Sequence, residues 1–400
     1  MIKYQSLYRN RNFNILYFGT LISSLGDKIY VFILPLFIYE WSKSALTMSI
    51  VRAIDFLPNI FLGMLAGVIV DRINRKKMMK WTSLLQALCV ILLTLLIWLD
   101  QLATWNLYLI GFLISTVSYT YNNAKHAIVP QLFEKEKLQD IQSKFTFINT
   151  LFSIIGPAIG GILIIWFTYE WVFLFYSISL VLLWISVFFL HTKIEPVNSS
   201  NQSVWFDMKE GFVELFGNKK LLPPTLVIIF LNFASSLIIG VITFYAVDKL
   251  NASTKEVAWM FSISAIGGLI GAKCLNQLHK RWTRGAIFIG MLRIDMVILF
   301  MFFFAQEWWQ LAILLTFRSC TNVINNIIFL AIRQETTPNH LLGRVAGTTS
   351  MFSKIILPLG LLISGIWAEW LPIPYLFLFS SFIIFILLIY VNKSSFKYIA

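Results

Sequence analysis

The chain has 400 residues, of which 58% are hydrophobic and only 13% charged, and its mean hydropathy is +0.76. About a quarter of the residues in soluble globular domains are charged. This composition therefore excludes a soluble protein and predicts an all-α integral membrane protein. The net charge of +13 is attributed to topology and to contact with anionic membrane lipid. Nucleic-acid binding is not expected, because no basic stripe has interleaved aromatic residues.

Twelve apolar runs are long enough to cross a hydrocarbon core, which is about 30 Å thick and needs about 20 residues per helix. The first run is too long for a cleaved signal peptide and lacks a small-residue cleavage site, so it is expected to remain as a span. In chain order the predicted spans cover residues 13–40, 44–70, 78–99, 104–129, 144–167, 170–191, 221–247, 256–278, 285–305, 308–332, 343–368 and 373–392.

Basic residues are distributed unequally between the two ends of these spans. One side carries only Lys43, Lys249 and Lys255, whereas the other carries the N-terminal basic residues and the cluster after Asp71. Cytoplasmic loops are enriched in lysine and arginine, so both termini are predicted to be cytoplasmic. The richness in lysine, asparagine and isoleucine argues against a eukaryotic source, and the expected location is a bacterial plasma membrane.

The loop after the second span has a distinctive pattern, GMLAGVIVDRINRKKMMK at positions 63–80. Gly63 and Gly67 leave one helix face without bulk, so a neighbouring helix can approach closely. Asp71 ends the helix, and a basic cluster follows at once. This pattern resembles the loop between helices 2 and 3 of the major facilitator superfamily. That family usually has glycine where this chain has Asn74, a residue type that tolerates a left-handed turn.

Two internal offsets indicate a repeat. A shift of 204 places Gly63 on Gly267 and Gly67 on Gly271, and a shift of 203 places the pair at 122–123 on the asparagines at 325–326. Parallel repeats of this kind are common in transporters. Together with the resemblance, they predict the major facilitator fold, with twelve transmembrane helices in two pseudo-symmetric six-helix halves. The halves are 1–191 and 221–400, and residues 192–220 form a cytoplasmic linker with an amphipathic helix.

Three further segments resemble the macrolide-efflux branch of the superfamily, the third drug:proton antiporter class. They are the opening RNRNFNILYFGTLISSLGDKIY, the tripeptide at 130–132, and GPAIGG at 156–161. The resemblance implies a secondary active transporter that exports drugs or amphipathic natural products by alternating access, with protons as the coupling ion. Its partners would be a small-molecule substrate and membrane lipid, and it would act as a monomer.

Prolines and glycines in the fifth and eleventh spans are hinge candidates. Proline frees a backbone carbonyl and glycine allows close packing, so these helices are expected to bend, either as a fixed kink or as a moving hinge. The candidates are Gly156, Pro157, Gly160, Gly161, Pro358 and Gly360.

Charges inside the spans are costly, which makes each one a functional candidate. Asp27 and Asp55 are the candidates for proton coupling, although Asp55 lies three residues from Arg52 and can pair with it on the same helix face. A fixed salt bridge remains open for Asp27. By resemblance, the first, fourth, seventh and tenth spans line the cavity and the ninth, with Arg293 and Asp295, is scaffold. The cavity-charge candidates are Lys28, Arg52, Arg318 and Lys354.

A cytoplasmic gate is expected where Asp71 meets the start of the eleventh span, because the helix N-terminus and Arg344 are both positive there. Lys125 and His126, near the inner end of the fourth span, are interpreted as snorkelling or loop-pairing groups. The predicted gating motif comprises Gly63, Gly67, Asp71, Arg72, Arg75, Lys76 and Arg344.

Other chemistry has little support in the sequence. There is no phosphate-binding Gly-Lys-Ser/Thr loop and no nucleophile elbow, so neither ATP coupling nor an enzyme is expected, and no cofactor is implied. The four histidines lack metal-ligand spacing. Four of the six mid-span charges are basic, which keeps open the export of an anionic metabolite such as a siderophore. A membrane receptor or scaffold that does not transport is a further alternative.

Overall fold

The computed structural model describes residues 7–72, 74–191, 204–218, 220–338 and 341–393, without the side chains of 59, 61, 63–72, 204–208 and 393. Over these ranges the chain forms thirteen α-helices, preceded by a short 3-10 helix at Leu7–Arg9, and a π-helical turn at Tyr245–Lys249 extends the eighth. The helices are α1 (Arg11–Ser42), α2 (Ala45–Arg72), α3 (Arg75–Trp98), α4 (Thr104–Leu132), α5 (Lys135–Trp166), α6 (Tyr169–Phe188), α7 (Val204–Gly217), α8 (Leu222–Phe244), α9 (Thr254–Leu278), α10 (Arg284–Phe302), α11 (Trp308–Thr336), α12 (Leu342–Trp370) and α13 (Ile373–Lys393).

Ten of the helices in the described ranges are long and apolar enough to cross a membrane. The all-helical membrane class is thus confirmed, whereas the number twelve stays a prediction. The two remaining predicted spans correspond to α2 and α4, which have 28 and 29 residues. Helix α4 is less apolar than the ten because it carries Lys125 and His126 beside two asparagines.

The helices form two compact units. The first comprises Met1–Phe37 with Phe61–Ser200, and the second comprises Ile38–Ile60 with Asn201–Ala400. Within the second unit, Tyr39 Oη donates to Asp248 Oδ1 at 3.1 Å and Ser49 Oγ donates to the Gly240 carbonyl at 3.1 Å. These bonds attach the end of α1 and the start of α2 to α8 and the π-helical turn after it.

Small residues set the helix packing inside the first unit. A Cβ on Gly19 would lie 2.7 Å from Ser186 Oγ, and a Cβ on Gly26 would lie 2.7 Å from a ring carbon of Tyr176. Lipid chains are as apolar as leucine, so membrane helices associate through such close packing and polar contacts more than through hydrophobic exclusion of water. In this unit the glycines bring α1 against α6.

The second unit uses the glycine pair that the internal repeat predicted. Gly267 abuts the carbonyl of Thr316, and a Cβ on Gly271 would lie 2.5 Å from the Cys320 carbonyl oxygen. Both contacts are to backbone atoms of α11, so the close helix approach is confirmed for this copy of the motif. The side chains of the first copy, from Gly63 to Arg72, lie outside the description.

Asn74 differs from the expectation for the loop between α2 and α3. Its backbone has φ −58° and ψ 110°, which is not left-handed, and its side chain accepts a hydrogen bond from the Lys77 backbone nitrogen at 3.1 Å. Asparagine is a favoured N-cap because its oxygen satisfies a free N–H at a helix start. The tolerance of a left-handed turn is therefore not what Asn74 supplies here.

Helix α7 lies in the predicted linker. Its Leu215 is buried with Val345 of α12, while Phe212 and Phe216 are each 47% exposed and pack edgewise or tilted against Phe352. Glu210 on the same helix pairs with Arg344 at the start of α12. The amphipathic helix is thus attached to α12 by several apolar contacts and by an ion pair.

Candidate functional site

A polar cavity of about 290 Å³ lies inside the first unit. Side chains from α1, α3, α4, α5 and α6 line it, so no single helix encodes the site. The lining residues that bear a charge, a polar ring or an amide are Asp27, Lys28, Gln86, Tyr121, Asn122, Lys125, His126, Gln142, Asn149 and Tyr176.

Asp27 is the acidic group among these lining residues. Its carboxylate lies 3.9 Å from Lys28 Nζ, and its side chain remains 40% exposed. Tyr176 Oη donates a long hydrogen bond to Asp27 Oδ1 at 3.5 Å, and Gln86 Nε2 donates to Tyr176 Oη at 2.9 Å. Water or a ligand in the cavity can therefore reach the carboxylate, which is held in a short chain of polar groups.

Tyr176 is fixed by packing. The residue is 2% exposed, and its ring stacks on Tyr30 with centroids 5.0 Å apart. Gly26, directly before Asp27, leaves the space that the Tyr176 ring occupies. A larger residue at position 26 would push this ring away, so the Gly26-Asp27 pair has a steric reason as well as a chemical one.

Lys125 does not snorkel away from the interior. It is 8% exposed, its Nζ lies 5.6 Å from the centroid of the Phe145 ring, and it attracts the Asp27 carboxylate electrostatically. A smaller cavity of about 150 Å³ also has Lys125, His126 and Phe145 in its lining and continues along α4 to Pro130. Lys125 therefore lines both cavities.

The hinge candidates of α5 pack on α1 beside the site. A Cβ on Gly156 would lie 2.7 Å from Lys28 Cβ, and one on Gly160 would lie 2.9 Å from Phe32 Cδ1. Pro157 and Gly161 are buried within α5, which continues unbroken from Lys135 to Trp166. The contacts are those of tight packing, and hinge motion stays a prediction.

In the second unit, Pro358 and Gly360 occupy an equivalent place in α12. A Cβ on Gly360 would meet Ser236 and would lie 3.0 Å from the Phe233 carbonyl oxygen. Helix α12 is also unbroken, from Leu342 to Trp370. These glycines bring α12 against α8.

The remaining charge candidates belong to the second unit. Arg52 and Asp55 pair at 3.8 Å, as their spacing predicted. Arg318 is 7% exposed and donates from Nη2 to Ser235 Oγ at 2.6 Å, so it lies in the interior of the helix packing. Lys354 is half-buried in α12.

The gating motif is described only in part. Lys76 Nζ donates to the carbonyls of Phe188 and Leu190, at 3.1 and 2.6 Å, and so caps the end of α6. Arg75 is half-buried at the start of α3, and Arg344 pairs with Glu210. The packing at Gly63 and Gly67 and the side chains of Asp71 and Arg72 lie outside the part of the chain that the structure describes. The contact of Asp71 with the start of α12 therefore stays a prediction.

Comparison with known families identifies the chain. The family model of the Major Facilitator Superfamily matches residues 16–357. The chain belongs to this superfamily. It is therefore a multi-pass membrane transporter protein and not an enzyme, in agreement with its relatives and structural neighbours.

Curated relatives are distant but cover most of the chain. Macrolide efflux protein A of Streptococcus pyogenes is 24% identical and covers 93% of both chains. An uncharacterized MFS-type transporter of Bacillus subtilis, YfiS, is 26% identical over 89% of this chain and 87% of its own. Multidrug efflux pump Tap of Mycolicibacterium fortuitum is 25% identical over 88% of each.

Solved structures support the same fold. A mutant of the nucleoside transporter NupG superposes with a TM-score of 0.80 at 12% identity, covering 96% of this chain and 99% of that chain. A bacterial homologue of the iron transporter ferroportin, in an inward-facing state, has a TM-score of 0.71 at 18% identity, covering 97% and 100%. At such identities the likeness concerns the fold alone.

Sequence reasoning missed Gln86 and Tyr176 and assigned Lys125 a minor role. A signal was present for two of them, because an amide or an ammonium within a membrane span is costly and needs a partner. Tyr176 carried no such signal, since tyrosines are common at membrane interfaces. Its role as a hydrogen-bond donor to Asp27 is visible only in the tertiary structure, because the two residues are 149 positions apart along the chain.

Proposed function

We propose that this superfamily member is a secondary active exporter of drugs or amphipathic natural products, working by alternating access with proton antiport. The observation that carries the proposal is a half-exposed intramembrane carboxylate, Asp27, in a polar cavity beside two ammonium groups. Ionisable groups at such positions are expensive and mark substrate or proton pathways.

The charges suggest how coupling works. A proton on Asp27 cancels its attraction for Lys28 and Lys125, so protonation changes the cavity charge by one unit. In the deprotonated state the carboxylate is the internal partner of both ammonium groups. The ionised carboxylate can also accept hydrogen bonds from polar groups of a substrate in the cavity. Protonation removes that acceptor charge and weakens substrate binding, so substrate and proton oppose each other, which antiport requires.

The wider architecture of the proposal is that of the superfamily. Twelve transmembrane helices form two pseudo-symmetric halves, 1–191 and 221–400, joined by the linker 192–220. Both termini are cytoplasmic in a bacterial plasma membrane, and the transporter acts as a monomer. Asp71 closes the cytoplasmic side against the start of α12, and the glycine-proline segments of α5 and α12 absorb the movement.

The names of the relatives support export of bioactive compounds. They include a macrolide efflux protein, a multidrug efflux pump and putative bacilysin exporters of Bacillus. The identity to the last group is 26% over 73% of this chain. Such distances leave the substrate to experiment.

Export of an anionic metabolite, such as a siderophore, is the second candidate. It is favoured by the cavity lining, where Lys28, Lys125 and His126 face one acid, Asp27. A site with this balance suits neutral or acidic compounds better than lipophilic cations, because an unpaired ammonium repels a cation in a low-dielectric site.

The test is efflux of a compound panel from cells that lack their own exporters. Macrolides, fluoroquinolones and a carboxylate siderophore are compared with and without a protonophore, for wild type, Asp27→Asn and the exposed-loop control Asp100→Asn. We expect protonophore-sensitive efflux in wild type and control and its loss in Asp27→Asn. Movement of the siderophore alone selects the second candidate, and absence of any protonophore-sensitive efflux refutes both.

A further inference from the structure

A second buried polar cluster lies in the second unit, away from the cavity of the first. Asp295 of α10 is 3% exposed, and Arg318 and Thr321 of α11 are 7% and 3% exposed. Ser235 of α8 completes the cluster at 8%. Charged groups buried this deeply between membrane helices are rare and are retained for a reason.

Counting hydrogens shows which form of Asp295 fits. Thr321 Oγ1 lies 2.5 Å from Asp295 Oδ1 and 3.0 Å from the Arg318 carbonyl oxygen. A threonine hydroxyl has one hydrogen and two lone pairs. With an ionised Asp295, two acceptors compete for that hydrogen. With a protonated Asp295, the acid donates to Thr321 Oγ1 and Thr321 donates to the carbonyl, so each group has its partner.

The guanidinium of Arg318 points the same way. Nη2 donates to Ser235 Oγ at 2.6 Å, but Nη1 is buried without a hydrogen-bond partner. Asp295 is near enough to attract the guanidinium electrostatically, yet its carboxyl is hydrogen-bonded to Thr321. Charge-assisted contacts are strong in a low-dielectric interior, so an ionised carboxylate would be drawn to the vacant N–H. The lack of a hydrogen bond between Arg318 Nη1 and the Asp295 carboxyl fits a neutral acid.

We propose that Asp295 is a second proton-binding site, protonated in this conformation and deprotonated in another, where its carboxylate contacts Arg318. The proton leaves to water as that conformation opens the cluster, and an ion pair between Asp295 and Arg318 forms in place of the hydrogen bond to Thr321. The proposal rests on proton-coupled export as the proposed function and adds a carrier to it: one proton travels on Asp27 and one on Asp295.

Among the described residues, Arg318 is the charged group that acts electrostatically on Asp295. Arg293 lies on the exposed face of the same helix, α10. From α13, Ser381 Oγ donates to the neighbouring Met296 carbonyl at 2.9 Å, which is a neutral contact. The protonation state of Asp295 therefore depends chiefly on how far away Arg318 is.

Infrared difference spectroscopy of the full chain in lipid nanodiscs tests the site directly. Wild type, Asp295→Asn, Asp27→Asn and the control Asp100→Asn are titrated with acid and base. We expect two pH-dependent carbonyl bands of protonated carboxylic acids in wild type and in Asp100→Asn. Asp295→Asn should lack one of these bands and Asp27→Asn the other. If Asp295→Asn removes no band, or if Asp27→Asn removes every band, the proposal is overturned.

Thermal unfolding separates a proton site from a permanent ion pair. An asparagine amide donates to Thr321 as the protonated acid does, so Asp295→Asn is expected to unfold within a few degrees of wild type. If Asp295 is instead a permanent counter-ion, Asp295→Asn unfolds far lower, because a charge is left buried without its partner. In that case the double variant Asp295→Asn with Arg318→Gln regains stability, because the unpaired charge is removed as well. Such a rescue overturns the proposal.

The number of protons moved per substrate distinguishes this proposal from the proposed function. In proteoliposomes with a substrate found by the efflux panel, we expect Asp295→Asn to transport with one proton fewer per substrate than wild type. An unchanged ratio overturns the second site while leaving export intact. If wild type transports nothing, proton-coupled export fails, and the infrared band still decides whether Asp295 binds a proton.

Discussion

Gly156 tests whether the α1–α5 contact sets the geometry of the cavity. A Cβ at this position would lie 2.7 Å from Lys28 Cβ, whereas ordinary van der Waals contact begins at 3.4 Å. To restore ordinary contact in Gly156→Ala, the two helices have to separate by about 0.7 Å, the difference between these distances. The displaced segment includes Lys28 and its neighbour Asp27, so the charged pair moves as well.

The expected cost follows from two opposing effects. Forcing an extra methyl group into a packed contact costs about 1–3 kcal/mol. Replacing glycine by alanine within a helix returns about 0.5–1 kcal/mol. The net loss of unfolding free energy is thus about 0–2.5 kcal/mol. Transport is expected to fall further than stability does, because shifts on the order of 1 Å at a binding site lower activity strongly.

Melting of purified protein and transport in vesicles should be measured together, with Gly111→Ala as the matched control. Gly111 lies in α4 of the same unit, and a Cβ there meets no atom within 4 Å. We expect a lower melting temperature and lower transport for Gly156→Ala, and an unchanged or higher melting temperature for Gly111→Ala. Reduced transport with an unchanged melting temperature in Gly156→Ala would refute the packing argument and favour a moving hinge.

Two further changes test contacts near the predicted cytoplasmic side. Lys76→Met removes a charged donor that caps the end of α6 and should lower the unfolding free energy by about 1–2 kcal/mol; the exposed Lys77→Met is its control, and equal melting temperatures would contradict the cap. Glu210→Arg places two cations together at α7 and α12 and should lower the melting temperature, while adding Arg344→Glu should recover part of it. The coupling should be about 0.5–1 kcal/mol because both side chains are partly exposed, and a double variant no more stable than Glu210→Arg would show that the pair contributes nothing.

Much of the fold could be predicted from the sequence, because apolar runs, glycine spacing and basic loops are local signals. The membrane class, the amphipathic helix α7 and the glycine face of α9 all follow from patterns within one helix. The grouping of Ile38–Ile60 with the C-terminal helices could not be predicted this way. It depends on contacts such as Tyr39 with Asp248, 209 residues apart, for which no local periodicity exists.

The candidate site divides in the same way. Hydropathy alone singled out Asp27, Lys28, Arg52 and Asp55 as costly intramembrane charges, and the spacing of the last two correctly paired them. Hydropathy could not tell that Lys125 is buried in the same cavity lining as Asp27 and attracts its carboxylate.

The sequence by itself determined where charged and small residues interrupt the apolar helices. The free-energy cost of placing a charge in a membrane and the helical repeat are both properties of a single segment, so they can be read without the tertiary structure. The tertiary structure alone decided which of these groups meet. It placed Tyr176 and Lys125 at Asp27, and Thr321 between Asp295 and the backbone of Arg318. A buried charge needs a partner, but which helix supplies the partner depends on packing that brings distant segments together.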